Sequence, residues 1–283
     1  MQTERIATIL CPVDFSGISG YALRAASMIA AATGAKVIAV HADWFEAPAY
    51  FTSGKVEEMK AEFQRDSAAA RESLAAFARA TLGEGAAVEL RVAEGLPVDV
   101  ILRLARETAA DVVVMGTHGR SGVQKWMLGS VAERVIRESP VPVVTVRQSP
   151  REVRDVLCAV DDTSVSRRAL GLAAAMSAGF HARLTVLHVE EAGAKHPVAD
   201  LCSWIPESER AGCNLREVVR RGDPAEEILK AATAEGTGLI VMGAPRRTFF
   251  EGMVLGTTTV RTVRHAPCPV LIVPPAQQGR QPA

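Results

Sequence analysis

Short apolar runs alternate with longer stretches of helical periodicity along the whole chain. Ile6–Val13 predicts a buried strand, and the Ala-rich stretch Tyr21–Thr33 predicts a helix that ends at Gly34. The same patterns predict strands at Lys36–His41, Val88–Val92, Asp111–Gly116 and Val141–Val146, and helices at Val98–Ala109 and Ser130–Glu138. Strands that alternate with helices are typical of βαβ units and a parallel sheet. The first half of the chain therefore predicts one open, doubly wound α/β sheet of five strands.

The same pattern occurs twice in the chain. The segment around Asp14 recurs around Asp161, 147 residues later, and the segment around Gly116 recurs around Gly243, 127 residues later. Strands of the second copy are predicted at Asp155–Asp161, Arg183–Val189, Asn214–Arg220, Gly238–Gly243 and Val270–Val273. We predict two tandem domains, residues 1–147 and 152–274, joined by the polar linker Arg147–Arg154, with a disordered polar tail at 275–283.

The two copies differ between their second and third strands. Apolar residues of the first copy recur there at helical spacing, so Lys55–Ala80 predicts an amphipathic helix. The second copy has the shorter stretch Glu191–Gly212, which carries no standard helix pattern. A loose cluster of possible Zn²⁺ ligands falls in or beside it: His188, His196, Cys202 and Cys213. Its spacings match no known zinc pattern, and Leu201 and Trp204 favour a plain surface flap.

Composition narrows the class of protein. Hydrophobic residues make up 48% and charged residues 23% of the 283 positions, which is typical of globular domains. Lys+Arg and Asp+Glu are 32 each and no basic run interrupts the balance, so neither a nucleic-acid nor a membrane partner is indicated. No signal-peptide pattern or long apolar span is present, which predicts a cytoplasmic protein. The five cysteines lack any C-x-x-C spacing and are interpreted as reduced, mostly buried packing residues.

Several common catalytic motifs are absent. The sequence contains no P-loop, no G-x-G-x-x-G, no H-E-x-x-H and no G-x-S-x-G motif. This argues against a P-loop ATPase, a conventional dehydrogenase, a zinc protease and an α/β-hydrolase. His41 and His188 end predicted buried strands, and we interpret them as packed residues rather than catalytic ones.

Ligands of open parallel sheets bind beyond the carboxyl ends of the strands, which directs attention to Asp14 and to the segment from Gly116. That segment reads Gly116-x-x-Gly119, nine further residues, then Gly129-Ser130 at the start of a helix. Glycines there would let main-chain N–H groups approach a phosphate, and the helix start adds further donors. Alternatively, Asp14 or Ser16 caps the following helix, the glycines form ordinary turns and Ser130 is an N-cap without a ligand.

With Pro12-Val13-Asp14 after the first strand and Val40-His41 after the second, this spaced glycine pattern resembles the nucleotide-binding type of the universal stress protein family. The resemblance covers both copies. It implies two adenine nucleotide alpha hydrolase-like domains with strand order 3-2-1-4-5, binding ATP together with Mg²⁺ or Mn²⁺. It also implies that the last strands of the two copies pair as an intrachain pseudo-dimer, with a homodimer as a further possibility.

The resemblance also implies a set of binding residues in each copy. In the first copy, adenine would lie near Val13, Asp14 and Val40, ribose near Asp14 and Gly116, and phosphates near His118, Gly119, Gly129, Ser130 and Val131, with Pro12 and Met115 beside them. The corresponding residues of the second copy are Val160, Asp161, Leu187, Met242, Gly243, Arg246, Gly256, Thr257 and Thr258. Arg246 replaces the second glycine, and its side chain would either fill the phosphate position or contact phosphate itself.

The sequence thus predicts an ATP-binding universal stress protein that acts as a nucleotide-dependent regulatory or stress-tolerance module. No base or water-positioning group near a γ-phosphate is identifiable, so an enzyme is not indicated. Two alternatives stay open. One is a slow ATPase assisted by Asp14 or His118, and the other is a nucleotide-free interaction module that uses the helix Lys55–Ala80.

Overall fold

The computed structural model describes residues 5–44, 53–119, 128–190, 201–205, 214–244, 247–249 and 252–276, and of residues 53–67, 247–249 and 252–254 it describes the backbone only. The first copy contains β1 (Thr8–Pro12), α1 (Gly17–Thr33), β2 (Lys36–Asp43), α2 (Ser53–Leu82), β3 (Val88–Glu94), α3 (Pro97–Glu107), β4 (Val112–Gly116), α4 (Ser130–Glu138) and β5 (Val143–Val146).

The second copy repeats this order with a different central segment. Its elements are β6 (Asp155–Val160), α5 (Ser164–Phe180), β7 (Arg183–Glu190), a 3-10 turn (Leu201–Trp204), β8 (Asn214–Arg221), α6 (Pro224–Ala234), β9 (Leu239–Gly243), β10 (Arg247–Phe249), β11 (Gly252–Val254), α7 (Thr257–His265) and β12 (Val270–Val273).

The two copies share one ten-stranded sheet, with strand order β3-β2-β1-β4-β5-β12-β9-β6-β7-β8. Within each copy the strands are parallel and follow the order 3-2-1-4-5, so the predicted α/β fold is confirmed. The last strands, β5 and β12, pair antiparallel with Leu271 opposite Val144. The expected pairing of the two copies through their last strands is therefore present within the chain.

Alternating strand residues divide the core into two layers, because successive side chains of a strand point to opposite faces. Ile9 of β1 packs into the layer under α1, α2 and α5, whereas Leu10 packs into the layer under α3, α4, α6 and α7. Both side chains are fully buried, and burial of each contributes about 1.5–3 kcal/mol. Continuous apolar runs in the inner strands thus follow from burial on both faces of the sheet.

The layer under α1 and α5 continues across the junction between the copies. A Cβ built on Gly179 of α5 would lie 2.7 Å from the backbone oxygen of Ala32 in α1. Only glycine allows the two helices to approach so closely, and the sequence pattern gave no sign of this contact.

The long helix of the first copy and the turn of the second copy cover the same surface of the sheet. In the first copy, a Cβ on Gly20 would lie 3.4 Å from the Phe77 ring of α2. In the second copy, the equivalent helix position is Arg167, whose guanidinium lies 4.6 Å from the centre of the Trp204 ring. The predicted helix is confirmed and is longer than expected, and the flap predicted within Glu191–Gly212 is described only at 201–205.

Other predictions are modified in detail. Helix α1 begins at Gly17 rather than Tyr21, because Ser16 caps it. The hairpin of β10 and β11 was not predicted, since its strands are three residues long. The tail beyond Ala276 lies outside the described residues.

Three of the four described cysteines are buried, and Cys202 is partly buried. Cys11, Cys158 and Cys268 are free and buried. Burial raises the pKa of the Cys11 and Cys158 thiols, and it raises the pKa of Cys268 to about 12, so these are protonated packing residues. No helix in the described part of the chain is long and apolar enough to span a bilayer.

Candidate nucleotide site

A cavity of about 450 Å³ opens at the carboxyl ends of β1, β2 and β4 in the first copy. All the binding residues predicted for that copy line it: Pro12, Val13, Asp14, Val40, Met115, Gly116, His118, Gly119, Gly129, Ser130 and Val131. The fold brings them together because the parallel strands of the sheet end at the same edge. Their contact with a ligand remains a prediction.

The cavity wall also contains residues that the sequence analysis did not assign to the site: Ser19, His41, Ala42, Trp44, Pro97, Ile101, Thr117 and Ala132. The repeated Val40-His41 pair and the repeated glycine before Pro97 were available as signals. Nothing in the periodicity distinguishes Ile101 from other core residues of α3, so only the tertiary structure places it here.

The carboxylate of Asp14 accepts hydrogen bonds from the cap of α1 and also lines the cavity. Its Oδ1 accepts hydrogen bonds from the Ser16 N–H (3.0 Å) and the Ser16 hydroxyl (2.6 Å). Ser16 in turn caps α1 by accepting from the Ser19 N–H at 3.1 Å. The second oxygen, Oδ2, lies 2.7 Å from the position that a Cβ on Gly119 would occupy. Oδ1 of Asp14 thus supports the Ser16 cap of α1, whereas Oδ2 lies beside Gly119 in the candidate site.

Phe15 fixes the backbone next to this carboxylate. Its φ is +64°, a left-handed conformation that non-glycine residues seldom adopt and that costs about 1–3 kcal/mol. The Phe15 ring lies 4.4 Å from the His41 ring and 5.7 Å from the Phe77 ring of α2. His41 is itself anchored through Nδ1, 2.8 Å from the Val13 carbonyl oxygen. These contacts hold the turn that presents Asp14, consistent with a packing role for His41.

The three glycines of the predicted phosphate motif are required for different structural reasons. A Cβ on Gly116 would lie 2.8 Å from Cγ2 of Ile18, so this glycine lets β4 approach α1. A Cβ on Gly129 would lie 3.1 Å from the Thr117 carbonyl oxygen, which accepts the Gly129 N–H at 2.8 Å. Gly119 is exposed and faces Asp14. Of the three, Gly119 is the one whose missing side chain leaves room in the cavity rather than in the core.

His118 brings an unsatisfied polar atom to the cavity. Its Nδ1 lies 2.8 Å from the Thr117 hydroxyl, whereas its Nε2 is buried and has no hydrogen-bond partner among the described residues. Burial, assisted by the positive charge of Arg147, lowers the pKa of His118 below its ordinary value. The ring is therefore neutral at pH 7, with one nitrogen available to a ligand.

The N-terminus of α4 faces the same cavity. Gly129 is its N-cap residue and provides no side-chain acceptor for the first turn. The alternative in which Ser130 is the N-cap is therefore wrong; Ser130 is the first helical residue, and it is exposed. Uncapped N–H groups at a helix start attract anions, because they carry the positive end of the helix dipole.

The corresponding residues of the second copy have a different arrangement. Oδ1 of Asp161 accepts from the Thr163 N–H (3.0 Å), the Thr163 hydroxyl (2.5 Å) and the Ser166 hydroxyl (2.5 Å). Burial alone would raise the pKa of Asp161, but these hydrogen bonds outweigh it and hold the pKa below its ordinary value. In the first copy the equivalent hydroxyl, Ser19 Oγ, donates instead to the Ser16 carbonyl oxygen.

The remaining predicted residues of the second copy divide into three groups. Val160, Leu187 and Met242 are buried core residues, and a Cβ on Gly243 would lie 3.0 Å from Cγ1 of Val165. Gly256 is the N-cap of α7, again without a side-chain acceptor, and Thr257 and Thr258 begin that helix. Arg246 lies outside the described residues.

The possible zinc ligands do not form a site in the described part of the chain. His188 Nδ1 lies 2.9 Å from the Val160 carbonyl oxygen, the same anchor that His41 has in the first copy. His196 and Cys213 lie outside the described residues. Within the described ranges, no group of three or more metal-binding side chains occurs.

The fold defines a class: tandem doubly wound α/β domains, with a cavity at the carboxyl ends of the strands in the first copy. The chain belongs to the universal stress protein family, whose sequence profile matches residues 6–147 and 152–274. A universal stress protein of Thermus aquaticus is 35% identical over 141 residues, 50% of this chain and 98% of that protein. One from Methanocaldococcus jannaschii is 40% identical over 68 residues, and the match spans 24% of this chain and 40% of that protein.

One solved structure matches the fold over both copies. The crystal structure of a universal stress protein from Archaeoglobus fulgidus covers 97% of this chain and 99% of its own, with TM-score 0.72 and 23% identity. A universal stress protein in complex with cAMP covers 51% of this chain and 99% of its own, with TM-score 0.38 and 29% identity.

Proposed function

We propose that the first copy binds ATP and that the protein is a nucleotide-dependent regulatory module acting in the cytoplasm. The observation that supports this most strongly is the cavity itself, whose lining combines apolar side chains with groups that attract anions. Its volume of about 450 Å³ lies within the range of about 300–1,000 Å³ that is usual for small-molecule sites.

The two ends of the cavity suit the two parts of a nucleotide. Val13, Val40 and Met115 are buried apolar residues that can contact a base. Gly119, the N-terminus of α4 and the unpartnered Nε2 of His118 provide donors and space for phosphates. A triphosphate supplies the acceptor that the His118 ring lacks among the described residues, so the residues present fit the ligand.

ATP would bind with a divalent cation. Asp14 is the one carboxylate among the described residues of the cavity wall, and its Oδ1 is already engaged by Ser16. Mg²⁺ or Mn²⁺ would therefore be held mainly by phosphate oxygens and water, as is usual for Mg²⁺ at phosphate sites. Chelation with EDTA is expected to weaken ATP binding without affecting the fold.

The proposal is tested by denaturing the purified protein, quantifying released nucleotide by chromatography and titrating nucleotide-free protein with ATP by calorimetry. We expect about one ATP per chain and a rise in melting temperature at saturating ATP. No released nucleotide, no heat and no thermal shift would overturn the proposal and leave the interaction-module alternative. Inorganic phosphate release, measured in the same samples with an Asp14→Asn control, tests slow hydrolysis.

A further inference from the structure

Trp44 is a large aromatic residue exposed at the rim of this cavity. It follows β2 directly, and 48% of its surface is exposed. The described residues contain two other large hydrophobic side chains of similar exposure, Leu96 and Val219. A single exposed apolar residue is ordinary by itself, but a tryptophan that lines a cavity is a candidate to contact a ligand bound there.

The course of β2 connects Trp44 with the apolar end of the cavity. Val40 and Ala42 are alternate residues of β2, and Trp44 lies one residue beyond its end. All three line the cavity, as does the intervening His41. Val40 is almost completely buried, Ala42 is partly buried and Trp44 is half-exposed. They form an apolar row that rises from the floor of the cavity to its mouth. Pro97, at the start of α3, also lines the cavity.

We propose that Trp44 stacks on the purine base and thereby determines the preference for a nucleotide over a simple phosphate anion. This inference rests on the proposed function. A flat apolar ring at the mouth of the site suits a planar base, whereas the phosphate-binding groups lie at His118, Gly119 and Ser130. The equivalent position of the second copy, 147 residues later, is Glu191, which cannot stack in this way.

The test separates base recognition from phosphate recognition. ATP and inorganic tripolyphosphate are titrated by calorimetry into the full chain and into its Trp44→Ala and Trp44→Phe variants. Loss of a base stack weakens binding by about 5- to 150-fold, so we expect a loss of about that size for ATP in Trp44→Ala. Tripolyphosphate affinity should stay within about two-fold, and Trp44→Phe should retain most of the ATP affinity because phenylalanine also stacks.

Each outcome has one meaning. If ATP binds Trp44→Ala as tightly as it binds the wild type, the stacking inference fails and the proposed function stands. Equal losses for ATP and tripolyphosphate would indicate a structural role and also overturn the inference. If the wild-type chain binds neither ligand, the proposed function itself fails. Quenching of Trp44 fluorescence by ATP, measured with Trp126 and Trp204 replaced by phenylalanine, gives an independent readout of contact.

Discussion

The two copies share a fold, yet equivalent positions in them make different contacts. In the first copy one oxygen of the carboxylate after the first strand, Asp14, lies close to Gly119, at 2.7 Å from the position of a Cβ there. In the second copy Asp161 is held by the hydroxyls of Thr163 and Ser166, both in the loop and first turn of the next helix. The equivalent serines therefore differ: Ser19 lines the cavity, whereas Ser166 donates a hydrogen bond to the Asp161 carboxylate.

A second contrast lies at the helices beside the site. Arg261 of α7 bridges to Asp223 (2.7 Å) and Glu226 (3.4 Å) at the start of α6. The equivalent Arg134 of the first copy pairs with Glu138 on its own helix instead. Such exposed ion pairs contribute little to stability. They connect α6 with α7, whereas Arg134 makes no ion pair between α3 and α4 in the described part of the first copy. The packing glycine after the fourth strand is thus kept in both copies as Gly116 and Gly243, whereas Gly20 of the first copy is replaced by Arg167 in the second.

The largest expected effect comes from giving the first copy the residue of the second. Gly119→Arg should lower ATP affinity by about 100-fold, equivalent to about 2.7 kcal/mol, because its Cβ collides with Asp14 and its side chain enters the cavity. Calorimetry measures the loss. Gly119→Ala should show a smaller loss, and Gly17→Ala is the matched control because no atom lies within 4 Å of its new Cβ. Unchanged affinity in Gly119→Arg would remove the site role of this glycine.

Gly116→Ala and Gly243→Ala should instead reduce stability, by about 1–3 kcal/mol each, because their new methyl groups overpack the contacts with Ile18 and Val165. Urea denaturation of the full chain measures this, again with Gly17→Ala as control. We expect Gly243→Ala to be destabilising although its copy has no assigned ligand. A neutral effect at Gly243 combined with a large one at Gly116 would contradict the shared packing role.

Ser166→Ala and Ser19→Ala form a third matched pair. Ser166 donates to the Asp161 carboxylate and accepts the Asp161 N–H at 3.1 Å, so its loss should cost about 1.5 kcal/mol. Ser19 donates to a backbone carbonyl, and its loss should cost about 0.5–1 kcal/mol. The midpoints of urea denaturation of the two variants show which substitution destabilises the protein more. Equal or reversed costs would show that the two carboxylate environments are energetically alike.

The smallest expected effect is a pH dependence at His118. Because its pKa is lowered in the folded protein, its contribution to stability is present above about pH 6.5 and is lost as the pH falls below that value. Bound phosphate raises the pKa again, so ATP binding takes up a proton and affinity increases by a few-fold as the pH falls from 8 to 6.

The terminal phosphate of ATP also titrates, near pH 6, and its contribution must be separated from that of the ring. Calorimetric titrations of His118→Gln over the same pH range provide this correction. We expect a steeper increase in the wild type than in the variant. Parallel curves for the two proteins would show that the His118 ring does not face the phosphates.

Much of the fold followed from local sequence. The repeat, the alternation of strands and helices and the pairing of β5 with β12 were all predicted, the last through family resemblance. The hairpin Arg247–Phe249 and Gly252–Val254 was missed, because three-residue strands carry no usable periodicity. The start of α1 was misplaced, because Ser16 competes with other small polar residues as a cap.

By itself, the sequence determined the repeat and the edge of the sheet where a site should lie, since strand ends of a parallel sheet meet at one edge whatever their side chains. Most of the individual residues predicted there came from the family resemblance, and the rest of the cavity wall was not predicted. Only the tertiary structure decided what each does there. It assigned Gly116 to packing against Ile18 and Gly119 to a close approach to Asp14, directed the hydroxyl of Ser166 but not that of Ser19 to the preceding carboxylate, and brought Trp44 to the cavity wall. Most of these outcomes depend on close contacts between segments that lie far apart in the chain, which no local pattern encodes.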